Sequence, residues 1–225
     1  MALTVLFGTF AFLLLIGTPV AFCLGVASFA TILYIGLPPV VVFQQLNSGI
    51  TVFALMAIPF FIFAGDLMVR GGIATRLIRF AAGLVGHMRG GLGQVNVVAS
   101  TLFGGISGSA VADASAVGGL MIPQMAARGY DRDYAVNVTA NAAIIALMIP
   151  PSHNMILYAV AAGGVSVSQL FLAGIVPGLL MCLCLGVVAW YIAVKRNYPS
   201  EEFPGWHALF FSFAAAIPGL LTAVI

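Results

Sequence analysis

The chain reads as long apolar runs separated by short polar punctuation. The first run covers residues 3–35. As one helix it would be about 50 Å long, well over the hydrocarbon thickness of a bilayer, so the pattern predicts a single long helix that tilts, protrudes or bends near residues 17–19. Pro38 and Pro39 end it. The uncharged stretch after them, to Gly49, reads as a short surface helix, and residues 51–69 as a second span with Asp66 at the interface. Beyond Gly71 and Gly72 the period changes. Ile73, Leu77, Phe80, Ala81 and Leu84 recur at helical spacing, with Arg76 and Arg79 on the other side. This is the pattern of a helix lying in the membrane interface.

The run 90–127 is marginal for two spans of about 20 residues each plus a turn, so a re-entrant helical hairpin is predicted, with arms near 94–103 and 112–127. Small, helix-breaking and polar residues gather around Asp113 at its middle. An ionised carboxylate at mid-membrane costs about 3 kcal/mol on insertion scales, so this segment must line a protein cavity or an ion path. Residues 134–162 are again too long for one unbroken helix, because Pro150 and Pro151 remove two backbone donors; a broken helix is predicted there. Residues 166–194, bearing Pro177, form a closing span that ends at Lys195 and Arg196. The most polar linker, with Glu201 and Glu202, leads to a last apolar stretch from Trp206 to Ile225. The pattern divides the chain into a scaffold-like part (1–89), the hairpin and broken helix (90–165), a closing span (166–196) and the start of a connecting span (204–225). That last stretch ends while still apolar, which suggests that more protein follows.

Composition sharpens the class. Hydrophobic residues make up 62% of the chain and charged residues 6%, and mean hydropathy is +1.16. A soluble domain carries roughly 25% charged residues, so an all-α polytopic membrane protein is expected. All eight basic residues lie outside the apolar runs and the net charge is +2, which is a topology signal and no nucleic-acid footprint. Arg70, Arg76, Arg79 and Arg89 share one connection, cytoplasmic by the positive-inside rule. Arg128, Arg132, Lys195 and Arg196 then fall on the same face, and so does the N-terminus. Met1 lacks a charged leader region after it and reads as the start of the first span. Cys23, Cys182 and Cys184 sit in apolar stretches as small hydrophobes, with no metal or disulfide spacing.

A small-residue hairpin tip and a proline-interrupted helix near mid-membrane are the recurring parts of secondary-transporter sites. Half-helix ends offer donors to anions, and unwound carbonyls coordinate Na⁺. Ser107, Ser109, Ser115, Ser152 and Asn154 supply side-chain oxygens, while Gly104, Gly105 and Gly108 let backbone approach an ion closely. The same glycines at four-residue spacing also suit plain helix packing. Asp113 fits a cap of the second hairpin arm better than an ion ligand or proton carrier. Asn137, Thr139 and Asn141 precede the break, where cavity lining and interhelical hydrogen bonding are equally open, and Asn141 is taken as a site residue. His153 reads as a structural hydrogen-bonding residue. A hydrolase triad of Ser107, Asp113 and His153 is set aside because Gly105-Ile-Ser-Gly-Ser does not complete Gly-x-Ser-x-Gly, so no enzyme is expected.

Through Gly105-Ile-Ser-Gly-Ser-Ala-Val-Ala-Asp-Ala-Ser-Ala-Val-Gly118 and Ile149-Pro-Pro-Ser-His-Asn-Met-Ile-Leu-Tyr158 the chain resembles the large membrane subunit of tripartite ATP-independent periplasmic (TRAP) transporters. Residues 47–59, 65–72 and the Arg89-Gly-Gly-Leu region extend the resemblance over essentially the whole chain. It implies an ion-transporter-superfamily fold of two inverted repeats, of which this sequence matches the first. It further implies Na⁺-coupled import of organic acids, C4-dicarboxylate-like or sugar acid, by an elevator-type displacement in the bacterial inner membrane. Implied partners are a small membrane subunit, a periplasmic substrate-binding protein and membrane lipid. The only inorganic requirement is Na⁺ as coupling ion. On the matching residues, the expected ion and substrate site comprises Gly105, Ser107, Gly108, Ser109, Asp113, Asn141, Pro150, Pro151, Ser152 and Asn154, with Na⁺ near Ser107, Gly108, Pro150 and Ser152. The contrary expectation is a non-transporting membrane scaffold, or a permease half that needs a separate second repeat.

Overall fold

The computed structural model describes residues 1–51 and 53–221, so the end of the expected connecting span lies outside the described residues. Among those described, every regular element is a helix. The chain divides into two compact units, residues 1–56 and 57–225.

In the first unit the expected single long helix is two. Helix α1 (Ala2–Leu15) and helix α2 (Val20–Ile35) pack on each other as an antiparallel hairpin, with Leu6 and Phe10 of α1 beside Ser28 and Leu24 of α2. The cause is local. Gly17 takes a left-handed conformation (φ +86°), and Pro19, which has no N–H to give to a continuing helix, instead caps a new one. The Pro19 carbonyl accepts from the amides of Phe22 and Cys23 at 2.9 and 3.1 Å. Thr9 and Thr31 satisfy their hydroxyls within their own helices, each donating 2.7 Å to the carbonyl four residues back. Helix α3 (Val40–Ile50) starts directly after Pro38 and Pro39.

The second unit holds most of α4 (Phe53–Arg70), then α5 (Ile73–Val85), α6 (Gly91–Ser107), α7 (Ala110–Ala127), α8 (Arg132–Ile145), α9 (His153–Ala162), α10 (Val167–Lys195) and α11 (Trp206–Leu221). Helix α6 is its axis: α5, α7, α8 and α10 all pack on it, and it is buried along nearly its whole length. It is rich in Gly and Ser, and in lipid such small residues favour helix association by letting backbones close up. The amphipathic α5 buries Ala74, Leu77, Ile78 and Ala81 and exposes Arg76 and Arg79. Its apolar stripe packs against α6, α7 and α11, so protein covers part of the face expected to meet lipid.

Helix α10 has two unlike faces. Gly174, Gly178, Ala189 and Ala193 are buried, whereas Leu172, Val176, Leu183 and Val187 are 62–72% exposed, as expected of a side turned to an apolar medium. Among the described residues it is the one single helix long and apolar enough to cross a membrane. Residues 58–70 and 73–85, bent by 68°, make a second only if counted as one span. The four spans counted in the sequence are thus not four long helices, because the turn at 17–19 and the break at 146–152 divide two of them.

Three connections meet at one end of this unit. Tyr130, Tyr134 and Tyr198 cluster with ring centroids 4.4–6.1 Å apart. Arg196 bridges Asp131 (2.7 Å) and Asp133 (3.1 Å), Arg128 pairs with Glu201 (2.7 Å), and the Pro199 carbonyl accepts from the Gly90 amide (3.2 Å). The Arg196 guanidinium holds the Asp133 carboxyl below its ordinary range.

Candidate functional site

The turn between α6 and α7 is two residues long. Helix α6 ends at Ser107, Gly108 is left-handed (φ +58°), and Ser109 is extended, its Oγ accepting from the Ala112 amide at 3.3 Å to cap α7. Gly108 has a second reason to be glycine. A Cβ there would overlap the Pro151 carbonyl oxygen and stand 3.1 Å from Ser152 Cα. The hairpin tip therefore rests directly on the interruption between α8 and α9. One turn earlier, a Cβ on Gly105 would lie 3.1 Å from Ile149 Cγ2 and 3.6 Å from the Pro150 oxygen.

On the other side of this contact α8 stops at Ile145, and α9 begins at His153 after an extended Ser152. Prolines 150 and 151 cannot donate to a helical ladder, so the intervening backbone leaves the helix and its carbonyls are freed. Four helix ends consequently lie around this contact: the N-terminal ends of α7 and α9, and the C-terminal ends of α6 and α8. Ser107 is 4% exposed and its Oγ accepts only a long bond from the Ser109 amide (3.5 Å). Ser152 is fully buried, and its Oγ has no hydrogen-bond partner. An unmade bond of that kind costs about 1–3 kcal/mol.

Gly105, Ser107, Gly108, Ser109, Pro150, Pro151 and Ser152 are thus gathered at one contact. Asn141 and Asn154 are exposed, and the Asn141 amide donates to its own helix at Asn137 (2.8 Å). Asp113 does not cap the second arm. A cap residue precedes the helix, and Ser109 fills that position, while Asp113 lies inside α7 with its own amide bonded to the Ser109 carbonyl (3.0 Å). Its carboxyl is fully buried, with the Ser100 hydroxyl beside it. No hydrogen bond among the described residues links Ser107, Asp113 and His153.

Beside the tip opens a cleft of about 450 Å³ lined by Gly65 and Asp66 of α4, Ser107, Ser109 and Ser115 of the hairpin, and His153. His153 Nδ1 is buried there without a partner, whereas Ser115 donates to the Val111 carbonyl at 2.8 Å. Sequence reasoning assigned Asp66 to the interface and did not bring it to the tip. Asn96, also missed, donates 2.6 Å to Thr139 Oγ1 across α6 and α8, which gives Thr139 an interhelical role. The available signal was an amide in an otherwise apolar helix.

The family model described as "Tripartite ATP-independent periplasmic transporter, DctM component" matches residues 7–225. Similar proteins include the uncharacterized protein YgiK of Salmonella typhimurium, 45% identical over 98% of this chain and 52% of its own length. The sialic acid TRAP transporter large permease protein SiaM of Vibrio cholerae is 44% identical over 81% of this chain and 42% of its own. The C4-dicarboxylate TRAP transporter large permease protein DctM of Rhodobacter capsulatus is 35% identical over 100% of this chain and 54% of its own. The chain spans about half the length of the curated relatives it matches. With a match over all but its first six residues, this chain belongs to the DctM-component family of tripartite ATP-independent periplasmic transporters, a family of transporter permeases.

Proposed function

We propose that the chain builds one ion-binding half of a large permease that imports small carboxylate-bearing substrates through the inner membrane, driven by Na⁺. The observation that carries this reading is the contact of Gly108 with Pro151 and Ser152, which sets four helix ends around a buried, unpartnered hydroxyl. Alkali cations are held by oxygens. Ser107 and Ser152 hydroxyls, with the carbonyls of Pro150 and Pro151, are the set that would take Na⁺, closing the tip onto the break. The N-terminal ends of α7 and α9 carry the positive ends of their helix dipoles and suit an anionic substrate in the adjoining cleft. Relatives named for C4-dicarboxylates and for sialic acid share a carboxylate, which supports that substrate class.

In this reading the α6–α7 hairpin is re-entrant, and α8–α9 is one broken transmembrane helix. Residues 90–165 form half of a moving transport domain, displaced elevator-fashion against a scaffold that includes residues 1–89. Residues 166–196 close the repeat, and 204–225 lead to the next. The partners are a small membrane subunit, a periplasmic binding protein that delivers the substrate, and the surrounding lipid. The basic connections face the cytoplasm.

The test is the thermal stability of the detergent-purified chain against Na⁺, with K⁺ or choline at matched ionic strength. A site that binds only the folded state adds about 2.7 kcal/mol at a hundredfold excess over Kd. A Na⁺-selective rise is expected, and the Ser107→Ala, Ser152→Ala double variant should lose much of it. An unchanged response in the double variant refutes the assignment of the tip.

A further inference from the structure

The polar side chains that line the cleft beside the tip differ in what they can give and take. At the tip, Ser109 Oγ accepts from the Ala112 amide and Ser107 Oγ from the Ser109 amide, and no acceptor among the described residues takes either hydroxyl proton. Both serines therefore have a proton to give, and Na⁺ on the Ser107 oxygen would leave that proton free. Ser115, further along α7, is the opposite case. It has given its proton to the Val111 carbonyl (2.8 Å) and offers the cleft only lone pairs. Asp66 is an acceptor too: one carboxylate oxygen takes the Arg70 Nε proton (2.8 Å), and Arg70 itself does not line the cleft.

Helix α4 carries Asp66 to the tip by a close approach. Gly65 is buried, and a Cβ there would stand 3.9 Å from Ser107 Cα. Among the described residues no lysine or arginine lines the cleft, so its walls hold one carboxylate and no fixed cation. One substrate carboxylate can take the serine protons and balance the ion in the adjoining cage. A second would add a negative charge facing Asp66 and would find only acceptors at Asp66 and Ser115, an arrangement that raises the cost of binding. Hydroxyl groups meet the reverse situation, because they have protons to give to those same acceptors. His153 Nδ1, buried without a partner in the same cleft, is a further place for a substrate oxygen, since buried polar atoms are rarely left unpaired.

We infer that this cleft selects a hydroxylated monocarboxylate, a sugar acid, over a dicarboxylate, and that Asp66 is the residue that sets the choice. The inference rests on the reading of the tip as an ion site beside a substrate cleft. The substrate carboxylate is held by the Ser107 and Ser109 hydroxyls, and its hydroxyl groups donate to Ser115 and to the Asp66 oxygen that Arg70 leaves free. The cleft, at about 450 Å³, lies within the range of cavities that enclose small organic ligands, about 300–1,000 Å³.

The experiment is a titration of thermal unfolding of the full chain with gluconate and with succinate, at constant Na⁺ and matched ionic strength. Gluconate should act at a midpoint about tenfold below that of succinate. Asp66→Asn keeps the side chain's shape, replaces its charge with an amide that also donates, and lies at an exposed position; it should bring the two midpoints within about threefold. Ser115→Ala removes only a bond to its own helix and should weaken gluconate about threefold while leaving succinate unchanged. Equal midpoints in the unaltered chain would overturn the inference, as would an unchanged ratio in Asp66→Asn. A Na⁺-selective rise with no response to either acid would overturn the cleft and leave the ion site standing. A gluconate preference without a Na⁺-selective rise would sustain the selectivity and refute the ion site.

Discussion

Two helical hairpins in this chain are closed by similar means and serve unlike ends. The α1–α2 hairpin turns at Gly17, left-handed at φ +86°, and the α6–α7 hairpin at Gly108, left-handed at φ +58°. Both turns are short and both hand over to a helix starting within three residues. Around Gly17, however, a Cβ would meet nothing within 4 Å, and in α2 only Cys23 and Ala27 are buried. Around Gly108 a Cβ would strike the backbone of the break, and nearly all of α6 is buried. A glycine turn specifies only a reversal of the chain. Whether it becomes a site depends on what the rest of the fold presses against it.

The sharpest way to break this contrast is to put alanine at both turns. Gly17→Ala should cost about 1–2 kcal/mol, the price of a left-handed alanine in open space. Gly108→Ala pays the same conformational cost and adds a clash with backbone that cannot swing aside, for a total of about 3 kcal/mol or more. Thermal unfolding of the two variants side by side measures the difference, and equal losses would mean that the tip does not rest closely on the break. A smaller separation is expected from deleting hydrogen-bonding side chains. Asn96→Ala strands the accepting Thr139 in a dry interface and should cost about 1–3 kcal/mol. Thr31→Val removes only a bond to its own helix and should cost about 0.5 kcal/mol or less.

The smallest effect concerns acid. Residues 1–35 contain no Asp, Glu, Lys, Arg or His, so the first hairpin has no acid-sensitive pair. The connections below the second hairpin do, in Asp133 and Arg196. Arg196 holds the folded Asp133 below its ordinary value of 3.8, so its contribution is complete above that value and is lost as pH falls through the depressed one. Wild-type chain should show a shallow loss of melting temperature below about pH 4, and Arg196→Gln should flatten it. A slope that survives in Arg196→Gln assigns the acid response elsewhere.

How far the sequence could be read follows from where each signal lies. The helical class, the α4–α5 turn at Gly71 and Gly72, and the segments that supply the tip and break were legible because each is set by nearby residues: paired glycines, paired prolines and a run of small side chains. The split of residues 3–35 was not. The apolar content continues through Gly17, Thr18 and Pro19, and hydrophobicity alone cannot distinguish a bent helix from two helices folded on each other. Asp113 was misread by one turn, because Ser109 and Asp113 are both plausible caps until the start of α7 is known. Asp66 beside the tip and Asn96 beneath Thr139 depend on approaches between distant segments, and no local period encodes them.

The interruption between α8 and α9 is hemmed in from two sides. Besides the tip of α6–α7, the glycine faces of α10 lie against it: a Cβ on Gly174 would meet the Met148 carbonyl at 2.5 Å, and one on Gly178 would stand 2.7 Å from Ile149 Cδ1. Such an interruption is not an open joint. Packed from both sides, by the hairpin tip and by the first half of α10, the stretch around residues 148–152 sits as a keystone between them.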